Sequence, residues 1–299
     1  MRRYDIDSLD NRDEALVERL AGLVLALLKP YFRAEVRGTE RVPPGAALYV
    51  GNHNAGLMQP DSFLFGAAVY RAHGISALPY GLGHEVAIRV PGIHQIIMPL
   101  GVVRASHDNA RRIFARGDKV LVFPGGDCEA MRPFQERNRV VFAGRTGYVR
   151  LALREGVPIL PVISSGAHST LFILDDGQWL ARLLGVDRRL RIKTWPITLC
   201  LPWGLVVGPQ LLYVPWPSRI LIEVLEPIRF DRAGEAAASD DAYVRACADR
   251  VERTMQAALD RLVKERERPR CYGAATPDAT ARAPTSRAGE SSASKADGR

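Results

Sequence analysis

Acid/base chemistry is offered by LYVGNHNAGLMQPD, Leu48 to Asp61, where an apolar run ends in a polar turn carrying His53 and, eight positions later, Asp61. An imidazole takes a proton from a hydroxyl near neutral pH, and a carboxylate beside it fixes the tautomer and stabilises the imidazolium. The same residues also suit a turn that caps the following helix. A second cluster, FPGGDCEAMRPF, sets Gly125 and Gly126 just ahead of Asp127, Glu129 and Arg132. Glycines let backbone N–H groups approach an oxyanion or phosphate, and arginine grips two oxygens at once. The alternative is an ordinary Pro-Gly-Gly turn followed by a surface Glu129–Arg132 ion pair. Arg145 precedes a helix, where its charge opposes the helix dipole, so it serves either a ligand or an acidic neighbour. Arg104, after the strand-like IIMPLGVV, is open to the same two readings.

The elements that hold these residues alternate in type. The strand 47–50 leads into the His53 loop, and Pro60 and Asp61 start the helix DSFLFGAAVYRA. Helices near 107–116 and 146–155 alternate with strands at 119–123 and 158–163, a further strand covers 219–230, and an amphipathic helix of 27 residues, 240–266, follows. This pattern predicts an α/β fold: a layered, mostly parallel central sheet flanked by helices. Ligands in such sheets bind beyond the carboxyl ends of the strands, where the His53 loop falls. The predicted organisation is an amphipathic N-terminal helical segment, 1–33, a main domain, 34–266, and a disordered tail, 267–299, poor in large apolar residues.

The formal net charge of +8 favours an anionic partner. Nucleic acid is disfavoured because no recognition helix, zinc-finger spacing or RNP-type string is present. The four cysteines form no CxxC pair, which argues against structural zinc and fits a reducing compartment, and no metal constellation emerges from the six histidines. The N-terminus is acidic and polar, unlike a secretory signal. In the N-terminal helix Leu16, Leu20, Leu23, Val24, Leu27 and Leu28 are expected on one side, either covering a core or lying at a membrane interface. Residues 194–217 are apolar but broken by prolines and glycines, so a spanning helix is not expected. With Trp195, Trp203 and Trp216, and the basic stretch 179–193 beside them, they suit interfacial docking or an irregular core layer next to a solvated helix.

The ordered strings NHNAGLMQPD, GVVRASHDNARRIF, LVFPGGDCEAMRPF, GRTGYVRLAL and GVPILPVISSGAH resemble the glycerolipid acyltransferase superfamily over about residues 32–230, within it the branch similar to diacylglycerol acyltransferases and their bacterial relatives. The resemblance implies transfer of a fatty acyl group from acyl-CoA or acyl carrier protein, as co-substrate rather than cofactor, to a hydroxyl of a glycerolipid or other lipid alcohol. It implies His53 as general base, Asp61 as its orienting partner, and direct attack without an acyl-enzyme. Candidate substrate contacts are Asn52, Arg104, Gly125, Gly126, Glu129, Arg132 and Arg145. The implied location is the cytoplasmic face of a membrane, peripheral or monotopic, with the membrane surface as partner. Seven residues separate His53 from Asp61, where the phospholipid branch has four, so Asp61 must reach His53 across a longer turn; FPGGDCEAMR replaces the phospholipid FPEG string and looks more like the neutral-lipid branch. The alternative acceptor is lysophosphatidate (1-acylglycerol-3-phosphate). Outside this chemistry stand a noncatalytic lipid-binding protein and a serine lipid hydrolase, the latter lacking a GxSxG string.

Overall fold

A strand covered on both faces is apolar throughout, and β2 (Ala47–Gly51) and β6 (Ile159–Ser165) are buried at every position. The computed structural model describes residues 3–268 apart from 55, 57, 190, 191 and 211. The tail predicted to be disordered lies, from residue 269, outside the described residues.

Five further strands complete the central sheet: β1 (Glu35–Arg37), β3 (Tyr80–Gly83), β4 (Val102–Arg104), β5 (Lys119–Val122) and β10 (Leu221–Val224). Their order is β1-β10-β6-β2-β5-β3-β4, and every neighbouring pair is parallel except β10 with β6. Side chains alternate between faces. Leu48 and Val50 join the core under the helices His107–Ala115, Gly147–Glu155 and Asp241–Glu267, whereas Tyr49 joins Leu64 and Phe65 of the helix Pro60–His73 on the other face. The α/β expectation therefore holds, with helices on both faces.

Three elements differ from their sequence reading. IIMPLGVV is strand only at its end: Ile93–Ile97 is helical, Met98–Leu100 is a 3₁₀ turn, and Gly101 at φ +90° redirects the chain into β4. The strand expected at 219–230 is regular only over Leu221–Val224, with one further bridge from Ile228 to Ile159, because Pro227 lacks a ladder donor. In the N-terminal helix, Glu14–Leu23 continuing through a π turn at Val24–Leu28, the buried stripe is Val17, Ala21 and Val24, while Leu16, Leu23 and Leu27 face outward. The predicted leucines are thus split between two sides.

Residues 172–207 add a second, antiparallel sheet of β7 (Phe172–Asp175), β8 (Ile197–Cys200) and β9 (Gly204–Val207), in the order β7-β8-β9. No helix among the described residues is long and apolar enough to cross a membrane.

Candidate active site

Strands β5, β2 and β6 are parallel neighbours, so their carboxyl ends open on one edge of the sheet. That edge gathers the His53 loop after β2, the glycine turn after β5 and His168 after β6. The close approach is steric as well as topological. A Cβ on Gly51 would lie 2.5 Å from the Phe123 ring, and that ring in turn packs on His53 with centroids 4.9 Å apart.

The backbone of His53 is held from both sides. Its N–H donates to Glu129 Oε2 at 3.0 Å, and its carbonyl accepts from Arg132 Nη1 at 2.6 Å. Glu129 Oε1 accepts from the Val141 N–H at 3.0 Å, so both carboxylate oxygens are engaged. Burial pushes the Glu129 carboxyl up to about 7, against the opposing pull of Arg132 and the two N–H donors. Gly125 makes this packing feasible: a Cβ there would meet Glu129 Oε2 at 2.3 Å and the Val141 carbonyl at 2.4 Å. The Gly126 N–H is used within the turn, donating to Phe123 O at 3.1 Å.

Arg132 is 2% exposed and Glu129 fully buried, which excludes the surface ion pair. The guanidinium does not bond the Glu129 carboxylate. It donates instead to five acceptors: the carbonyls of His53, Glu129, Glu136 and Arg137, and Asn54 Oδ1. A guanidinium has five N–H donors, so none is left to grip a substrate oxygen. This corrects the expected anion-binding role of Arg132 and makes it the fastener of the His53 loop. Its own carbonyl accepts from His168 Nε2 at 2.9 Å, which places the His168 proton on that nitrogen.

Asp61 sits in the first turn of the helix Pro60–His73, buried, with Oδ2 accepting from Asn54 Nδ2 at 2.8 Å. No hydrogen bond joins it to the His53 imidazole. His53 Nδ1 and Asp61 Oδ1 are both buried without a hydrogen-bond partner among the described residues. The direct His53–Asp61 pair expected from sequence is therefore not formed; Asp61 binds Asn54, whose Oδ1 accepts from Arg132, and Arg132 in turn holds the His53 carbonyl. The longer turn enters the helix through Gln59 at φ +38°. Burial raises the Asp61 carboxyl, opposed by Asn54, Ser164 and the helix N–H groups. Asp61 and Ser164 also line a cavity of about 20 Å³ with Asn52 and Phe123, room for about one water.

Burial lowers the His53 imidazole from its ordinary 6.5 to about 4, and Arg132 pushes the same way; the Asn54 backbone and Asp127 oppose them. The ring is therefore neutral at pH 7, with a lone pair available to a proton. His168 is pushed well below the usual range by burial, then by Arg132.

The remaining expected contacts are occupied structurally. Asn52 ties β2 to β6, donating to Ser164 O at 2.9 Å and accepting from Ser164 N at 2.8 Å. Arg145 grips the carbonyls of Pro124 and Gly125 and pairs with Asp127 at 3.2 Å, the acidic-neighbour alternative. Arg104 ends β4, three strands from β2 or roughly 14 Å at ordinary strand spacing, and forks onto Asp7 at 2.9 and 2.7 Å. It is not brought to His53. The sequence reading passed over Asn54 and did not include His168 among the site residues. An amide two residues before a glycine and a histidine after a strand are common, and only the fold brings both to the Arg132 that fastens the His53 loop.

Residues 33–165 match the family model described as Acyltransferase. The matched stretch holds both the His53 loop and the glycine turn. The chain is 33% identical over 245 residues to an uncharacterized Mycobacterium tuberculosis protein, covering 82% of this chain and 65% of that protein. It thus spans just under two thirds of the length of that relative. It is 25% identical over 221 residues to diacylglycerol O-acyltransferase 2 of Danio rerio, covering 70% of this chain and 59% of that one. Among solved structures, the 1-acyl-sn-glycerophosphate acyltransferase PlsC of Thermotoga maritima shares the fold with a TM-score of 0.50 at 18% identity, over 84% of each chain.

Proposed function

We propose that this acyltransferase moves a fatty acyl group from a thioester donor, acyl-CoA or acyl carrier protein, to a hydroxyl of a glycerolipid at a membrane surface, with His53 as general base. The observation that carries this reading is a neutral imidazole at the carboxyl edge of β2, its backbone fixed by Glu129 on one side and Arg132 on the other. In the reaction His53 takes the proton of the acceptor hydroxyl as its oxygen attacks the thioester carbonyl. The C–O bond forms, the C–S bond breaks, and the thiolate leaves with the proton from the imidazolium. Asp61 acts as a positioning residue through Asn54 and Arg132, which holds the His53 backbone.

For the acceptor, the PlsC title names 1-acyl-sn-glycerophosphate and the vertebrate relatives' names diacylglycerol. The fold likeness extends over more of the chain than either relative's alignment, and on that support lysophosphatidate is the first acceptor to test. Because the donors of Arg132 are all used, a phosphate on that acceptor must find another cation, and the partly exposed Arg145, which grips the glycine turn, is the candidate. Labelled acyl-CoA offered with lysophosphatidate, monoacylglycerol, diacylglycerol and long-chain alcohols separates these. His53→Ala should abolish transfer with the fold intact, and near-normal turnover of the purified variant would remove the assignment.

A further inference from the structure

The small sheet β7-β8-β9 is apolar on its outer face as well as on its inner one. Its inner face carries Ile173, Thr198 and Cys200, each about 1% exposed, with the Thr198 hydroxyl unpartnered among the described residues. Its outer face carries Phe172 and Leu174 on β7, Leu199 on β8, and Leu205 and Val207 on β9. Register puts Phe172 beside Leu199 and Leu199 beside Leu205, a continuous apolar row across all three strands. A one-sided antiparallel sheet in water places polar residues outward, so this face is built for a medium other than water.

The surroundings identify that medium. Residues 194–217 contain no charged residue, and Trp203, 60% exposed, and Trp179, 55% exposed, stand beside the face. Exposed Arg182, Arg188 and Arg189 lie in the helices Gln178–Leu183 and Val186–Arg189, and exposed Lys193 in the segment that leads into β8. Apolar residues flanked by amphipathic indoles and then by cations match the layering of acyl chains, interface and anionic headgroups. The inner face packs Ile173, Cys200 and Tyr213 against Ala130 and Met131, directly behind Glu129.

We propose that the outer face of the β7-β8-β9 sheet docks on an anionic lipid bilayer, with its leucines and tryptophans entering the interface and the arginines on the headgroups. Docking itself is independent of the acyl-transfer reading and is measurable without turnover.

All four tryptophans fall between residues 179 and 216, so intrinsic fluorescence reports on this region alone. The full chain is mixed with vesicles of equal parts phosphatidylglycerol and phosphatidylcholine. The expected result is a blue shift, quenching by phosphatidylcholine brominated in its acyl chains, and binding that weakens with salt. Leu199→Glu with Leu205→Glu, both at exposed positions, should weaken vesicle binding by roughly tenfold or more while the circular dichroism spectrum is retained. Absence of vesicle binding, binding without bromolipid quenching, or equal binding by a folded double variant each overturns the proposal. So does a lipid-free dimer that the double variant disperses, which would assign the face to a second copy of the chain.

Discussion

At the scale of single residues, the site is a set of buried polar groups whose demands are met by one another. Arg132 illustrates the consequence. Arg132→Lys keeps the charge but replaces five forked donors by three on one nitrogen, leaving carbonyls of His53, Glu129, Glu136 or Arg137 unsatisfied. The expected loss is about 3 kcal/mol of stability, read by urea denaturation, with turnover falling because the His53 loop loosens. A loss confined to the acceptor KM would instead return Arg132 to substrate binding. His53 itself sets the acid limb of the rate. With its imidazole lowered to about 4, kcat/KM should stay level from pH 7 to about 5 and decline only toward 4. A decline centred near 6.5 would mean the ring is more hydrated than its packing against Phe123 implies.

At the scale of elements, the sheet edge transmits strand packing to the base. Gly51→Ala drives a methyl into the Phe123 ring at 2.5 Å, and that ring leans on His53. The variant should lose about 1–3 kcal/mol and some turnover. Adding Phe123→Leu should recover part of the stability, so a double-mutant cycle reports a favourable coupling; strict additivity would show that the ring yields freely. The same element logic separates the legible from the hidden. Helices and strands with clear periodicity, such as His107–Ala115 and Lys119–Val122, were predictable from sequence because local spacing suffices. The second sheet was not, because β7, β8 and β9 have four residues each and bury the less apolar side.

At the scale of the whole molecule, buried titrating groups tie stability to pH in opposing ways. His53 and His168 have folded values below the ordinary 6.5, so the unfolded chain binds more protons and stability is lost as pH falls through 6.5 toward about 4. Glu129 is raised from 4.5 to about 7, so the folded chain holds the extra proton and its contribution is lost as pH rises from 4.5 to 7. Between pH 4.5 and 6.5 the two effects partly cancel. Glu129→Gln removes the opposing one, and the urea midpoint of that variant should fall more steeply on acidification than that of the parent chain. An unchanged slope would show that Glu129 is ionised throughout this range.

The sequence by itself determined the superfamily strings, the alternating α/β order and the position of His53 after a buried strand, all properties of neighbours along the chain. The tertiary structure decided the partners. It paired Asp61 with Asn54 rather than with His53, buried Arg132 with its donors spent, carried Arg104 to the edge strand and brought His168 up from β6. These outcomes depend on which strand ends lie side by side and on how a buried polar group is satisfied, and both are fixed by contacts between residues far apart in sequence.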